Sequence, residues 1–274
     1  MTPIPLAIHG ATGKMGRRLV AHALEATDIA LVAALARKGS PHTGMDAGTL
    51  AGVRACGVRV ADTLPVVAPS VVVDFSTASA VRGAVELALA ARAALVVCTT
   101  GLDDGTRRAI DDAALRIPTM VCANTSLGVN LLLALAERAA RVLGADYDVE
   151  VVEMHHRHKV DSPSGTALAL AEAVAAGHGM PLAGRVVHGR SGRAAGSRPA
   201  AEIAFHALRG GDVAGEHTLV FAGTGERIEL THRATSRDVF AAGALHAVRF
   251  LAGKPPGRYA MRDALGLGES GKRP

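Results

Sequence analysis

Leu6-Ala7-Ile8-His9-Gly10-Ala11-Thr12-Gly13-Lys14-Met15-Gly16-Arg17-Arg18-Leu19-Val20 is the stretch on which the fold turns. An apolar run with β character passes through three glycines at G-x-x-G-x-x-G spacing and enters a helical pattern at once. At a strand-to-helix turn, that spacing lets the backbone bend tightly and approach a pyrophosphate at the positive end of the helix. A Cβ at these glycines blocks either the turn or the approach. Glycine turns open many helices, so the specificity lies in the context: a strand before, a helix after, and an alternating α/β pattern downstream. The reading predicts a dinucleotide site formed by Gly10, Ala11, Thr12, Gly13, Lys14, Met15 and Gly16.

Working outward, strand-like runs at 5–9, 29–35, 71–75, 94–98 and 119–122 alternate with helical patterns at 14–25, 79–91 and 104–115. This is the signature of βαβ units whose helices cover both faces of a parallel sheet. A helix is expected at 128–143, after which the period changes. Residues 148–154 read as a strand and 164–176 as a helix. From 185 onward the chain is mainly strands between glycine turns, including 201–208, 217–221 and 227–233. An Ala-rich helix at 238–251 is expected to pack back on the first domain. The expected architecture is therefore α/β: a Rossmann-like, doubly wound parallel sheet domain, discontinuous over 1–126 plus 237–274, and a second domain of different character at 127–236.

Composition sets the remaining bounds. A chain of 274 residues, 49% hydrophobic and 20% charged, buries a core without staples. Three scattered cysteines, Cys56, Cys98 and Cys122, argue against a disulfide framework and fit a reducing cytoplasm. The first residues lack a basic segment of the secretory kind, and apolar runs such as 129–136 are too short to span a bilayer. The formal charge of +5 could suit nucleic acid, but aromatics are only 3%, with no Trp, so stacking platforms are nearly absent. The charge instead suits small anionic ligands. Of the 30 Lys and Arg residues only five are Lys, which singles out Lys14, Lys38 and Lys159.

The end of the second strand carries the next test. An NAD site usually has Asp or Glu there for the ribose hydroxyls. This chain reads Ala34-Leu35-Ala36-Arg37-Lys38. Two cations beside the adenosine ribose attract a 2′-phosphate, the alternative being a solvated strand end. NADPH is expected to be preferred through Arg37, with NADH possible.

After the strand at 148–154 comes His155-His156-Arg157-His158-Lys159, then Val160-Asp161-Ser162-Pro163-Ser164-Gly165-Thr166 opening a helix. The amides of Gly165 and Thr166 and the hydroxyls of Ser164 and Thr166 suit a carboxylate, and Lys159 and the histidines add charge and donors. A zinc site from His155, His156 and His158 lacks helical ligand spacing and is opposed by Arg157 and Lys159, so no metal is expected. A surface turn with a capping serine accounts for Ser164 but not for the cluster.

The segment EMHHRHKVDSPSGTAL at 153–168 closely resembles the signature of the bacterial 4-hydroxy-tetrahydrodipicolinate (dihydrodipicolinate) reductase family. GATGKMGR at 10–17, VVVDFSTASA at 71–80, CTTGL at 98–102, ANTSLGVN at 123–130, GDVAGEHTLVF at 211–221 and GERIELTHRATSR at 225–237 follow in the family's order. The histidine segment is highly specific, the others modest. The resemblance implies NAD(P)H-dependent reduction of 4-hydroxy-tetrahydrodipicolinate to tetrahydrodipicolinate, in diaminopimelate and lysine biosynthesis. It implies His155 as proton donor, Lys159 as second catalytic group, and His156, Ser164, Gly165 and Thr166 as the clamp on a small dicarboxylate. Thr99, Thr100 and Gly101 match residues near the nicotinamide, Asp74, Phe75 and Ser76 match a neighbouring loop, and Phe75 and Asn124 join the cofactor set. The resemblance also implies that the second domain is α+β on an open mixed sheet, binds substrate and pairs across subunits into a homotetramer. Cys98 stands where the family commonly has Gly, Ala36 where it has an acid, and Thr125 where an aromatic is frequent. Arg193, Arg209 and Arg237 face either the cleft or an interface. A two-domain amino-acid dehydrogenase would share the first domain but not need the histidine segment. An NADPH-binding sensor would not need His155 and Lys159.

Overall fold

The computed structural model describes residues 2–64, 68–193 and 196–268. Lys272 and the last residues assigned by sequence to the first domain, 269–274, lie outside the described residues. Contacts divide the chain into two compact units, one running to Leu127 and resuming at Asp238, the other Gly128–Arg237.

The first unit opens with β1 (Ile4–His9), α1 (Lys14–Glu25), β2 (Ile29–Leu35), the short α2 (Ala47–Leu50) and β3 (Val60–Ala61). It continues with β4 (Val71–Asp74), α3 (Val81–Ala91), β5 (Ala94–Val97), α4 (Asp104–Ala114) and β6 (Pro118–Val121). The second unit holds α5, which begins at the boundary (Leu127–Leu143), β7 (Asp148–His155), α6 (Gly165–His178), β8 (Val186–His188), β9 (Ile203–Arg209), β10 (Gly215–Ala222) and β11 (Arg227–Ala234). The chain then returns to the first unit with α7 (Asp238–Leu251), β12 (Gly257–Tyr259) and α8 (Met261–Ala264).

Seven parallel strands form the first sheet in the order β12-β6-β5-β4-β1-β2-β3. Strand alternation divides its side chains between two cores. Leu6, Ile8, Val73, Val96 and Met120 pack with α1 and α7 on one face. Ala7, Val72, Leu95 and Val97 pack with α3 and α4 on the other. Strand order reverses between β1 and β4, the position at which doubly wound sheets bind ligands beyond the carboxyl ends of their strands. This is the expected Rossmann-like architecture. Helix α7 lies close because Gly243 faces the Thr125 carbonyl, where a Cβ would come within 1.7 Å.

The second unit has a mixed sheet, β11-β10-β7-β9-β8, with β10 antiparallel to β7 and β11, and β9 parallel to β7 and β8. Val149, Val151, Phe205, Leu219 and Phe221 face α5 and α6 across the unit's core. The opposite face carries half-buried Val152, Met154 and Val220 beside exposed Leu208, and among the described residues both helices of this unit's core, α5 and α6, pack on the other side. Glycine again sets a close approach: a Cβ at Gly177 of α6 would lie 2.3 Å from the Glu137 carbonyl of α5.

Candidate active site

The glycine loop is fastened to the end of β2, since the amides of Gly10 and Ala11 both donate to the Leu35 carbonyl at 3.0 Å. Gly10 has φ +80°, and a Cβ there would lie 2.5 Å from the Phe75 carbonyl. A Cβ at Gly16 would lie 2.1 Å from the Gly10 carbonyl, so α1 reaches this closeness only through glycine. Gly13 caps α1 with an ordinary extended backbone (φ −72°, ψ 168°) and no side chain over the helix end. Lys14 is exposed, while Thr12 and Met15 are half-buried. Uncovered amides at a helix start suit a pyrophosphate.

Arg37 and Lys38 follow one residue after β2, past buried Ala36, and are exposed. A tight turn, with Ser40 N–H donating to the Arg37 carbonyl and His42 N–H to Ser40 Oγ, brings His42 back toward α1. There Arg17 Nη2 lies 3.4 Å from His42 Nε2, while Arg17 Nε donates to the Thr12 carbonyl at 2.9 Å. The sequence reading singled out neither Arg17 nor His42.

A buried polar knot joins the ends of β1, β4 and β5. Asp74 is fully buried; its Oδ1 accepts from His9 Nδ1 and Ser76 Oγ, both at 2.6 Å, and its Oδ2 from Thr99 Oγ1 at 2.5 Å. Ser76 N–H in turn donates to Thr99 Oγ1. The knot fixes the loops that carry Phe75 and Thr99, leaving Thr100 and Gly101 exposed. Cys98 fills the strand end in the core beside Cys122, and burial pushes its thiol well up. Asn124 Oδ1 accepts from Ser126 N–H, shaping the next turn. Thr125, which stands where the family frequently has an aromatic, is buried and donates its hydroxyl to the Phe240 carbonyl, so it anchors α7.

The second unit gathers the other predicted residues. Along β7, Val149, Val151, Glu153 and His155 face inward, which places a carboxylate and an imidazole in an otherwise apolar row. Glu153, only 1% exposed, takes both Nη atoms of Arg209 at 2.8 Å, Ser164 N–H at 3.1 Å and His155 Nδ1 at 2.5 Å. Burial raises its carboxyl, but the bonds from Arg209 and His155 outweigh this and hold it below the usual range. Burial is the largest influence on His155 and lowers it, partly offset by Glu153. His217 stands edge-on to His155 with ring centroids 5.1 Å apart, and burial drops it to about 4. Its Nε2 meets Ser164 Oγ at 3.0 Å, and that hydroxyl caps α6 by accepting from Ala167 N–H.

The segment after His155 is pinned by its neighbours: His156 N–H donates to the Val213 carbonyl and Arg157 N–H to that of Gly211. His156 Nε2 lies 3.5 Å from Arg237 Nη2, and its buried Nδ1 has no partner among the described residues. Lys159 pairs with Asp161 at 2.8 Å. Gly165 and Thr166 open α6 within this cluster. Arg209 and Arg237 are therefore part of the cluster, whereas Arg193 is exposed.

A Rossmann-type unit with a glycine loop opening its first helix, joined in one chain to an α+β unit carrying a basic, imidazole-rich cluster, is the build of a pyridine-nucleotide-dependent oxidoreductase. Residues 4–125 match the profile of dihydrodipicolinate reductase, N-terminus, and 128–265 that of its C-terminus. The chain belongs to the dihydrodipicolinate reductase family. A 4-hydroxy-tetrahydrodipicolinate reductase of Alkalilimnicola ehrlichii is 49% identical over 264 residues, which cover 96% of this chain and 98% of that protein. One from Thiobacillus denitrificans is 47% identical over 266 residues, covering 96% and 99%. The dipicolinate-bound dihydrodipicolinate reductase from Paenisporosarcina sp. TG-14 shares the fold, with a TM-score of 0.74 and 23% identity over 94% of this chain and 98% of that one.

Proposed function

We propose that the chain reduces 4-hydroxy-tetrahydrodipicolinate to tetrahydrodipicolinate with NAD(P)H, the reductase step of diaminopimelate and lysine biosynthesis. The observation that carries this reading is the cluster at the end of β7, where His155, His156, Lys159 and the start of α6 converge. The 4-hydroxyl leaves as water, and the nicotinamide, when bound, supplies the hydride that carbon 4 accepts. The chain's residues do the rest. Gly165 and Thr166 amides, Ser164 and His156 grip the carboxylates, and the buried Nδ1 of His156, without a partner among the described residues, is a polar atom suited to a ligand. Lys159 neutralises charge that builds as the ring is reduced, and His155 delivers the proton. A dianion in the cluster favours the protonated imidazole and counters the lowering by burial.

Gly10, Ala11, Thr12, Gly13, Lys14, Met15 and Gly16 hold the pyrophosphate. Phe75, Thr99, Thr100, Gly101 and Asn124 line the nicotinamide end. NADPH is the preferred form: Arg37 and Lys38 end β2 without a carboxylate, and Arg17 and His42 add two basic groups in contact. The nucleotide domain is 1–126 with 237–274, and 127–236 is the substrate and assembly domain. The sheet face bearing Val152, Met154 and Leu208 suits pairing between subunits in a homotetramer. A cytoplasmic setting accords with a soluble biosynthetic substrate.

The test is a coupled assay with freshly generated substrate, following NADPH absorbance. Oxidation strictly dependent on that substrate is expected. NADPH binding without oxidation by it, or turnover of an amino acid instead, overturns the reading.

A further inference from the structure

We propose that Glu153 and Arg209 are a positioning pair that fixes which nitrogen of His155 faces the reacting molecule; this rests on the reading of His155 as proton donor. A carboxylate in the inward row of a core strand is expensive to bury unless its oxygens are fully used. Here four donors converge on two oxygens: both Nη atoms of Arg209, the Ser164 amide and His155 Nδ1. An ionised carboxylate only accepts, so Nδ1 carries the hydrogen in that bond. Nε2 is left as the nitrogen that can exchange a proton. It faces Gly215 at the start of β10, where a Cβ would stand 3.0 Å away, so a larger residue there crowds the working atom.

The same pair sets the loop beside the imidazole. Arg209 Nη2 also donates to the Asp161 carbonyl at 2.7 Å, and Glu153 Oε1 holds the Ser164 amide. The orientation of the ring and the path of the chain from Lys159 to the start of α6 thus depend on one buried ion pair. The titratable and charged groups around His155 are Glu153, Lys159, Arg209 and His217, with His232 behind His217. Among them Glu153 is the group in direct hydrogen-bonded contact with the ring, so it stabilises the imidazolium form that donates.

Glu153→Gln keeps the shape and removes the charge. The expected result is a fall in kcat of roughly a hundredfold or more at pH 7, in line with loss of the orienting carboxylate from other histidine sites. The pH at which activity declines on the alkaline side should move down by about one pH unit or more, with the NADPH Kd unchanged. Glu153→Asp, which retains the charge at shorter reach, should recover part of the loss. Ring nitrogen NMR on the wild-type protein reads the tautomer without a mutation: hydrogen on Nδ1 with Nε2 titrating is expected. A neutral His155 with its hydrogen on Nε2 overturns the proposal. So does a Glu153→Gln protein that keeps wild-type kcat and pH profile, or one that loses NADPH binding and stability while its pH profile stays put. His155→Gln is measured in parallel. Wild-type turnover there would instead remove the proton-donor reading, whereas an inactive His155→Gln beside an unaltered Glu153→Gln removes only the positioning role.

Discussion

Two of the three glycines in the phosphate loop should fail in different ways when given a methyl group. In Gly16→Ala the new Cβ would stand 2.1 Å from the Gly10 carbonyl oxygen and 2.7 Å from Ala11 Cα, both backbone atoms. They cannot yield cheaply, because Gly10 and Ala11 are bonded to Leu35 at the end of β2. Helix α1 must back off by about 1 Å to restore ordinary contact, an overpacking cost of about 2–3 kcal/mol. For a unit of this size that lowers the unfolding midpoint by roughly 4–12 °C. In Gly13→Ala the Cβ meets the same carbonyl at 3.3 Å, and the backbone is one any residue adopts. Stability should then stay within about 1 kcal/mol of wild type. If Gly13 is part of the pyrophosphate cradle, as proposed, the added methyl group hinders close approach of the ligand, and the NADPH Kd should rise about tenfold or more. Thermal unfolding of the free protein and calorimetric titration with NADPH separate the two effects. Should Gly13→Ala bind NADPH as wild type does, or should both variants lose stability and affinity in the same proportion, the division of labour argued from these distances is wrong.

Arg37→Ala should cut kcat/KM for NADPH by tenfold or more, about 1.4 kcal/mol, and leave that for NADH nearly unchanged; a wild type that strongly prefers NADH, with no change in the variant, counts against the 2′-phosphate assignment. His155→Gln should reduce kcat by roughly 10²–10⁴-fold with NADPH affinity intact. Lys159→Ala should damage both kcat and substrate KM, and an effect on stability alone would make that lysine structural. Stability should also fall in acid because of His217, held at about 4 against an ordinary 6.5. Below pH 6.5 the unfolded chain takes up this proton, whereas the folded protein does so only below about 4. Stability is therefore lost as pH drops through that window, by about 3 kcal/mol in all, and levels off beneath it. His217→Gln should flatten this part of the curve in urea unfolding at pH 7 and pH 4.5; an undiminished slope would place the acid sensitivity elsewhere.

The parts of this molecule that sequence reveals are those whose cause is local. Alternation of β1 to β6 with α1, α3 and α4 follows from periodicity, and the turn at Gly10 from glycine spacing. Strands of two or three residues such as Val60–Ala61 and Gly257–Tyr259 carry no readable period, and they exist because a neighbouring strand supplies the ladder. The site divides in the same way. His155 to Thr166 stand out as one unusual segment, but Glu153 looks like any strand residue until Arg209, 56 positions on, is found against it. One signal was present: a carboxylate at an inward position after Val149 and Val151. Asp74 was likewise quoted without its role, since its partners His9 and Thr99 are 65 and 25 residues away. Thr125 reads in sequence only as a departure from the family's frequent aromatic, because its partner, the Phe240 carbonyl, lies beyond the whole second unit in sequence.

The return of the chain to its first unit has a consequence for biosynthesis. One face of β4, β5 and β6 is covered by α7, whose Ala241, Ala244, Leu245, Val248 and Leu251 complete that core. On a translating ribosome the 128–237 unit emerges before that helix does, so the half made first is the half finished last. Until Leu251 has left the exit tunnel, the part of the Val73, Val96 and Met120 surface that α7 covers stays open to solvent. A nascent chain arrested near Arg237 is therefore a ready client for chaperones, although every phosphate-loop residue has long been synthesised.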